Sequence, residues 1–138
     1  MQASANFANA SVLVFDRHPL IAASLEDVLR EIGAASTYVA ADVAAAAAFA
    51  DATPPALAVL EWVPASDDLP ALVERLRMLK VPVVLLAALA RRDISNHSGG
   101  WAVMVEKPCT DATLQQAICT AMARRDDGMA TSNACKPN

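Results

Sequence analysis

The residues able to do chemistry in this 138-residue chain sit at the ends of apolar runs. Glu61 closes Ala56-Leu57-Ala58-Val59-Leu60, Asp16 closes Ser11-Val12-Leu13-Val14-Phe15, and Lys107 follows the run Trp101 to Val105 with only Glu106 between. An apolar run without alternation suits a strand covered on both faces, in the middle of a parallel sheet. Such a strand delivers its last side chain to the carboxyl edge of the sheet, where ligands and chemistry gather in open α/β folds. Arg17 follows Asp16 directly. An arginine stays protonated and carries a rigid fork of donors, so the chemistry open to it here is bidentate pairing with a neighbouring carboxylate, Glu61 or Asp16.

Five strands and the helices between them must position these groups. After the first strand, Pro19 suits the opening turn of a helix whose face is Ile21, Leu25, Val28, Leu29 and Ile32, ended by Gly33. Ser36 to Val39 is a short β-prone run. Asp42 caps an alanine-rich helix from Val43 to about Asp51, and Thr53-Pro54-Pro55 breaks it ahead of the Glu61 strand. A loop spans 63–68. Leu69, Leu72, Val73, Leu76 and Leu79 line a third helix. Val81 to Leu86 is a fourth strand with Pro82 at its very start, entering Ala87-Ala88. The polar stretch Arg91 to Gly100 carries a weak helical signal, in which Gly99-Gly100 reads as a turn, and Trp101 to Val105 is the fifth strand. Thr110 or Asp111 caps a last helix with Leu114, Ile118, Ala121 and Met122 inward. Residues 1–10 read as a flexible N-terminus, 11–125 as one domain and 126–138 as a disordered tail. This rhythm predicts an α/β fold with a doubly wound, flavodoxin-like, five-stranded parallel sheet of order 2-1-3-4-5 and helices on both faces. Strands 1 and 3 are then neighbours, so Asp16 meets Glu61 at one edge, with Ala87 and Lys107 brought alongside.

Composition excludes several classes. With 55% hydrophobic and 19% charged residues the chain is globular rather than disordered. A net charge of −4 argues against a nucleic-acid surface. No apolar run is long enough to span a membrane, and residues 1–10 lack the pattern of a secretory leader. Cys109, Cys119 and Cys135 form no CxxC pair, so neither a disulfide framework nor a zinc site is expected; Cys119 reads as a buried thiol, and a reducing cytoplasm is the natural compartment.

Val12-Leu13-Val14-Phe15-Asp16 with Pro19-Leu20-Ile21, the run Pro55 to Leu60, the run Val81 to Leu86, and Glu106-Lys107-Pro108 with Thr113-Leu114 beyond resemble receiver domains of two-component response regulators of the chemotaxis-regulator type. The resemblance covers residues 11–124 in order and spacing. It implies a phosphorelay chemistry: two acidic residues after strand 1 and an aspartate ending strand 3 hold Mg²⁺, that aspartate takes a phosphoryl group, the strand-5 lysine neutralises its oxygens, and a hydroxyl residue ending strand 4 and an aromatic on strand 5 relay the change. Here the second acidic position holds Arg17, the phosphoacceptor position Glu61, the hydroxyl position Ala87 and the aromatic position Met104. Asp16 and Lys107 remain. The loop after Glu61 is also one residue short.

These departures predict a pseudo-receiver in signal transduction: not phosphorylatable, not an enzyme, with no catalytic residue and no cofactor, and with weak or absent Mg²⁺ binding. The acidic pocket of Asp16, Arg17 and Glu61 is vestigial in that reading, and the guanidinium fills the electrostatic role of the metal. Glu61 either mimics the modified state or is a permanently paired structural carboxylate with Arg17 and Lys107; the second is favoured because Ala87 and Met104 remove the relay. The domain would bind a signalling protein (a histidine kinase, a response regulator or an output domain) through the surface of its fourth helix, fifth strand and fifth helix, with Met104, Lys107 and Pro108 at the switch. A homodimer through the same surface stays open; nucleic acid and membrane are not expected partners. The alternatives are an active phosphorelay receiver built on Asp16, Glu61 and Lys107, and a flavodoxin-type small-ligand binder, which lacks a phosphate loop after strand 1. His18 and His97 are expected at the surface without partners. Trp62 either lids the pocket or packs over the third helix.

Overall fold

The structure is a computed structural model that describes residues 10–63, 68–88, 101–107 and 109–127. Its strands are β1 (Ser11–Phe15), β2 (Ser36–Ala40), β3 (Leu57–Glu61), β4 (Val83–Ala87) and β5 (Val103–Glu106). Its described helices are α1 (Pro19–Glu31), α2 (Val43–Ala52), α3 (Leu69–Met78) and α4 (Asp111–Asp127). All neighbouring strands pair in parallel, in the order β2-β1-β3-β4-β5, as the βαβ rhythm predicts.

The pleat sorts the strand residues into two layers, because successive side chains leave opposite faces. Val12, Val14, Leu57, Val59, Val84, Leu86 and Val105 pack under α1 and α4 with Leu25, Leu29, Leu114 and Ile118. Leu13, Phe15, Ala58, Leu60, Val83, Leu85 and Ala87 pack under α2 and α3 with Ala46, Ala50, Leu72 and Leu76. Both β3 and β4 are buried along their whole length, which is what a central parallel strand requires. The alanines of α2 let that helix lie close to the sheet at Ala46 and Ala50, both fully buried.

Local chemistry sets the ends. Pro19 opens α1 and the chain leaves it through Gly33 at φ 112°, where a side chain would be strained. Asp42 accepts the Ala45 N–H at 2.8 Å and caps α2. Thr110 caps α4 through its hydroxyl, which accepts the Thr113 N–H at 3.0 Å.

Five expectations shift. Ala10, grouped with the flexible N-terminus, is buried and its carbonyl accepts the Ala35 and Ser36 N–H groups. β4 begins at Val83, so Pro82 lies just before the ladder; its carbonyl accepts the Ala58 N–H. β5 begins at Val103, two residues later than the apolar run, and the Trp101 indole N–H ahead of it donates to the Val81 carbonyl at 2.7 Å. Cys119 is disulfide-bonded rather than a free thiol; the argument from free thiols to a reducing compartment loses that support. α4 runs to Asp127, past the expected start of the tail. Arg91-Arg92, His97, the Gly99-Gly100 turn, Pro108 and most of the loop after Glu61 also fall outside the described residues.

The layer under α2 and α3 is one of two buried cores. Leu60→Ala, at a fully buried site, is expected to cost about 2–5 kcal/mol in urea unfolding, and Asp42→Ala about 1 kcal/mol from the lost cap. A Leu60 variant within about 1 kcal/mol of the parent would mean that this layer is not close-packed.

Candidate functional site

Register brings the chemical residues together. Phe15 pairs with Leu60, Glu61 with Leu86, and Ala87 with Glu106. Each strand's next residue therefore emerges at the same carboxyl edge, and the Lys107 N–H is anchored on the Ala87 carbonyl at 2.6 Å. Asp16 and Glu61 are the only buried charged residues among those described.

Glu61 is clamped by a single residue. The Arg17 backbone N–H donates to Glu61 Oε1 at 2.8 Å, its Nε to the same oxygen at 3.2 Å, and its Nη2 to Oε2 at 2.9 Å. The fork is the side-on pairing that a planar guanidinium makes with a carboxylate. Asp16 has its own partners. Its Oδ1 accepts the His18 N–H at 2.9 Å and faces the His18 ring Nδ1 at 3.2 Å, while Lys107 Nζ donates to Oδ2 at 3.3 Å. Lys107 Nζ is farther from Glu61 Oε2, at 3.8 Å.

Burial acts most strongly on Glu61 and pushes its carboxyl upward, since low dielectric disfavours the charged form. The Arg17 guanidinium and amide, with Lys107 behind them, outweigh that push and hold the carboxyl below its ordinary value. The pocket thus keeps its carboxylate charged by pairing. Cys109 stands nearby, but burial first and Asp111 second push its thiol up, so it offers no ready thiolate.

Of the residues singled out from the sequence, Asp16, Arg17, Glu61 and Lys107 converge. Lys107 keeps the expected ion pair to Glu61, at 3.8 Å, and stands nearer still to Asp16, at 3.3 Å, because Arg17 already occupies both Glu61 oxygens. Ala87 ends β4 beside Glu106 with no hydroxyl to offer, and Met104 is half-buried over the α2–α3 layer. Trp62 is buried in the same cluster as Leu69, Leu72 and Val73 of α3. His18 is the residue that sequence reasoning missed. Its readable signal is the Asp16-x-His18 spacing, because an aspartate commonly accepts the N–H two residues on. That turn folds the ring back over the pocket, and Asp16, His18 and Glu61 present three ligand-type atoms within 4.8 Å of one another.

No family model and no curated protein matches the sequence. Solved structures do. The chain is similar to the chemotaxis protein CheY4 of Vibrio cholerae, with 21% identity and a TM-score of 0.68 over 81% of this chain and 98% of that one. It is similar to a response regulator receiver protein from Sinorhizobium medicae, with 18% identity and a TM-score of 0.73 over 84% and 96%. It is also similar to the signal receiver domain of a signal transduction histidine kinase from Syntrophus aciditrophicus, with 22% identity and a TM-score of 0.67 over 93% and 98%. The chain has the flavodoxin-like fold of response-regulator receiver domains.

The clamp sets a pH signature. A carboxyl held below its unfolded value contributes stability that is present above the unfolded pKa and lost as pH falls through the folded one. Urea stability of the parent protein is therefore expected to fall as pH drops below the ordinary value of 4.5 for Glu61. In Arg17→Ala the upward push of burial is less opposed, so the melting temperature at neutral pH drops and the acid-side loss from Glu61 shrinks. An alanine variant with an unchanged melting temperature and acid profile would show that the guanidinium is not engaged.

Proposed function

We propose that this chain is a pseudo-receiver: a receiver-fold signalling module that takes no phosphoryl group, carries no enzymatic activity, and works by binding another signalling protein. The observation that carries this reading is the Arg17 fork on Glu61. Receiver domains run their chemistry through Mg²⁺, and the donor set here does not suit that ion. Mg²⁺ requires several oxygens in near-octahedral array. Both Glu61 oxygens are engaged by Arg17, and the Asp16 oxygens by His18 and Lys107. A protonated side chain also stands beside the carboxylates that would hold the ion, where it repels a dication.

A nucleophilic role for Glu61 is opposed for the same reason, since its lone pairs are committed to donors. Ala87 supplies no hydroxyl for a phosphoryl oxygen, and Met104 no aromatic ring to turn. These substitutions support a scaffold kept for recognition. The recognition surface in this reading is the sheet edge at β5 with α4, where Met104 and Lys107 lie, and the partner is a histidine kinase, a response regulator or an output domain. The cytoplasm is the compartment that goes with such a partner. Among the described residues no helix is long and apolar enough to cross a membrane.

Intact mass after incubation with acetyl phosphate and Mg²⁺ tests the reading. The expected spectrum is unchanged. A gain of one phosphoryl group, mapped to Glu61, would replace the pseudo-receiver with an active phosphorelay receiver using Asp16, Glu61 and Lys107.

A further inference from the structure

We infer that the C-terminal segment 128–138 is a redox latch: a Cys119–Cys135 disulfide lays it back over the outer face of α4, and reduction releases it.

Counting identifies the bond. The chain has three cysteines. Cys119 is disulfide-bonded and Cys109 is free, which leaves Cys135 as the partner within one chain. Length permits the return. From Cys119 to the end of α4 at Asp127 the helix rises about 12 Å. The eight residues from there to Cys135 span up to about 26 Å when extended. Gly128 follows α4 directly, the residue type best able to reverse a chain after a helix.

Burial along α4 is a second and independent sign. Leu114, Ala117, Ile118, Ala121 and Met122 belong to the core layer under the helix. At about 100° per residue, Ala112, Gln116, Cys119 and Ala123 lie on the side turned away from that layer. Ala112 and Gln116 are exposed there, as an outer face should be. Cys119 and Ala123 are only 2% and 6% exposed, yet belong to neither core layer. The cover on this face starts at about Cys119 and runs toward the end of the helix. That is the stretch a segment returning to Cys119 overlies.

Forming the bond takes two electrons and two protons from two thiols. A glutathione-type disulfide accepts them: the Cys135 thiolate attacks it and expels one small thiol, and the Cys119 thiolate then displaces the second. Cys109 is a poor rival, because burial pushes its thiol up. In a reducing compartment such a bond is transient and acts as a sensor. Oxidation would cover the last turns of α4, and reduction would expose them. The latch holds whether or not the chain takes a phosphoryl group; only its effect on a partner docking at α4 rests on the pseudo-receiver reading.

The full chain is equilibrated with oxidised glutathione, alkylated with N-ethylmaleimide and digested without reduction, with one cut at Asp111 to part Cys109 from Cys119. Mass spectrometry should find Cys119 joined to Cys135 of the same chain and Cys109 alkylated. Dithiothreitol should lower the melting temperature of the parent and of Cys109→Ser by about 5 °C or more, and should not move that of Cys135→Ser. The inference is overturned by alkylation of all three cysteines, by a bond from Cys109, by a bond between two chains, by a reduction that leaves the parent's melting temperature unmoved, or by a shift that persists in Cys135→Ser. A phosphoryl gain from acetyl phosphate would remove the pseudo-receiver reading and leave the disulfide map as it stands.

Discussion

A carboxylate buried at the centre of a parallel sheet must be answered by a cation or lose its charge. Glu61 ends β3, a strand with every residue buried, and the rest of the pocket follows from that constraint. Arg17 meets it with three donors from one residue, two from the guanidinium and one from the backbone. The side-chain fork supplies charge and the amide supplies aim. Asp16, whose side chain is equally enclosed, is answered by Lys107 from the far side of the sheet and by His18 from its own turn. Two carboxylates and two permanent cations leave the pocket close to neutral, a state in which a further dication gains little.

The fold makes this balance possible because three segments far apart in sequence end at one edge. β1 and β3 are in register at Phe15 and Leu60, so their following residues lie side by side. β5 joins beyond β4, and Lys107 reaches across it. An aspartate whose oxygen accepts the N–H two residues ahead makes a tight turn, and that turn leaves the intervening amide of Arg17 pointing at Glu61. The clamp is thus a product of the turn after β1 as much as of the arginine's charge. In the proposed reading this is how a receiver scaffold holds its former reaction centre shut while its outer surfaces stay available for recognition.

Much of the architecture was legible from the order of residues alone. Unbroken apolar runs marked β1, β3 and β4, the first two closed by a carboxylate, helical spacing marked α1 and α3, and right-handed crossover restricted the strand order. The charge of Arg17 next to Asp16 was enough to expect a guanidinium in the pocket. What the sequence could not say is how each cation divides its bonds. His18 looked idle because its role depends on a turn that folds it back onto Asp16, and the ion pair expected between Lys107 and Glu61 forms but is the longer of two, with Asp16 closer. Trp101 was counted in a strand, yet it lies ahead of β5 with its indole N–H on the Val81 carbonyl. Periodicity and charge are properties of the chain and survive being written as a string. The choice among several donors for one buried oxygen is made by distances of a few tenths of an ångström, and only the packed sheet edge sets those.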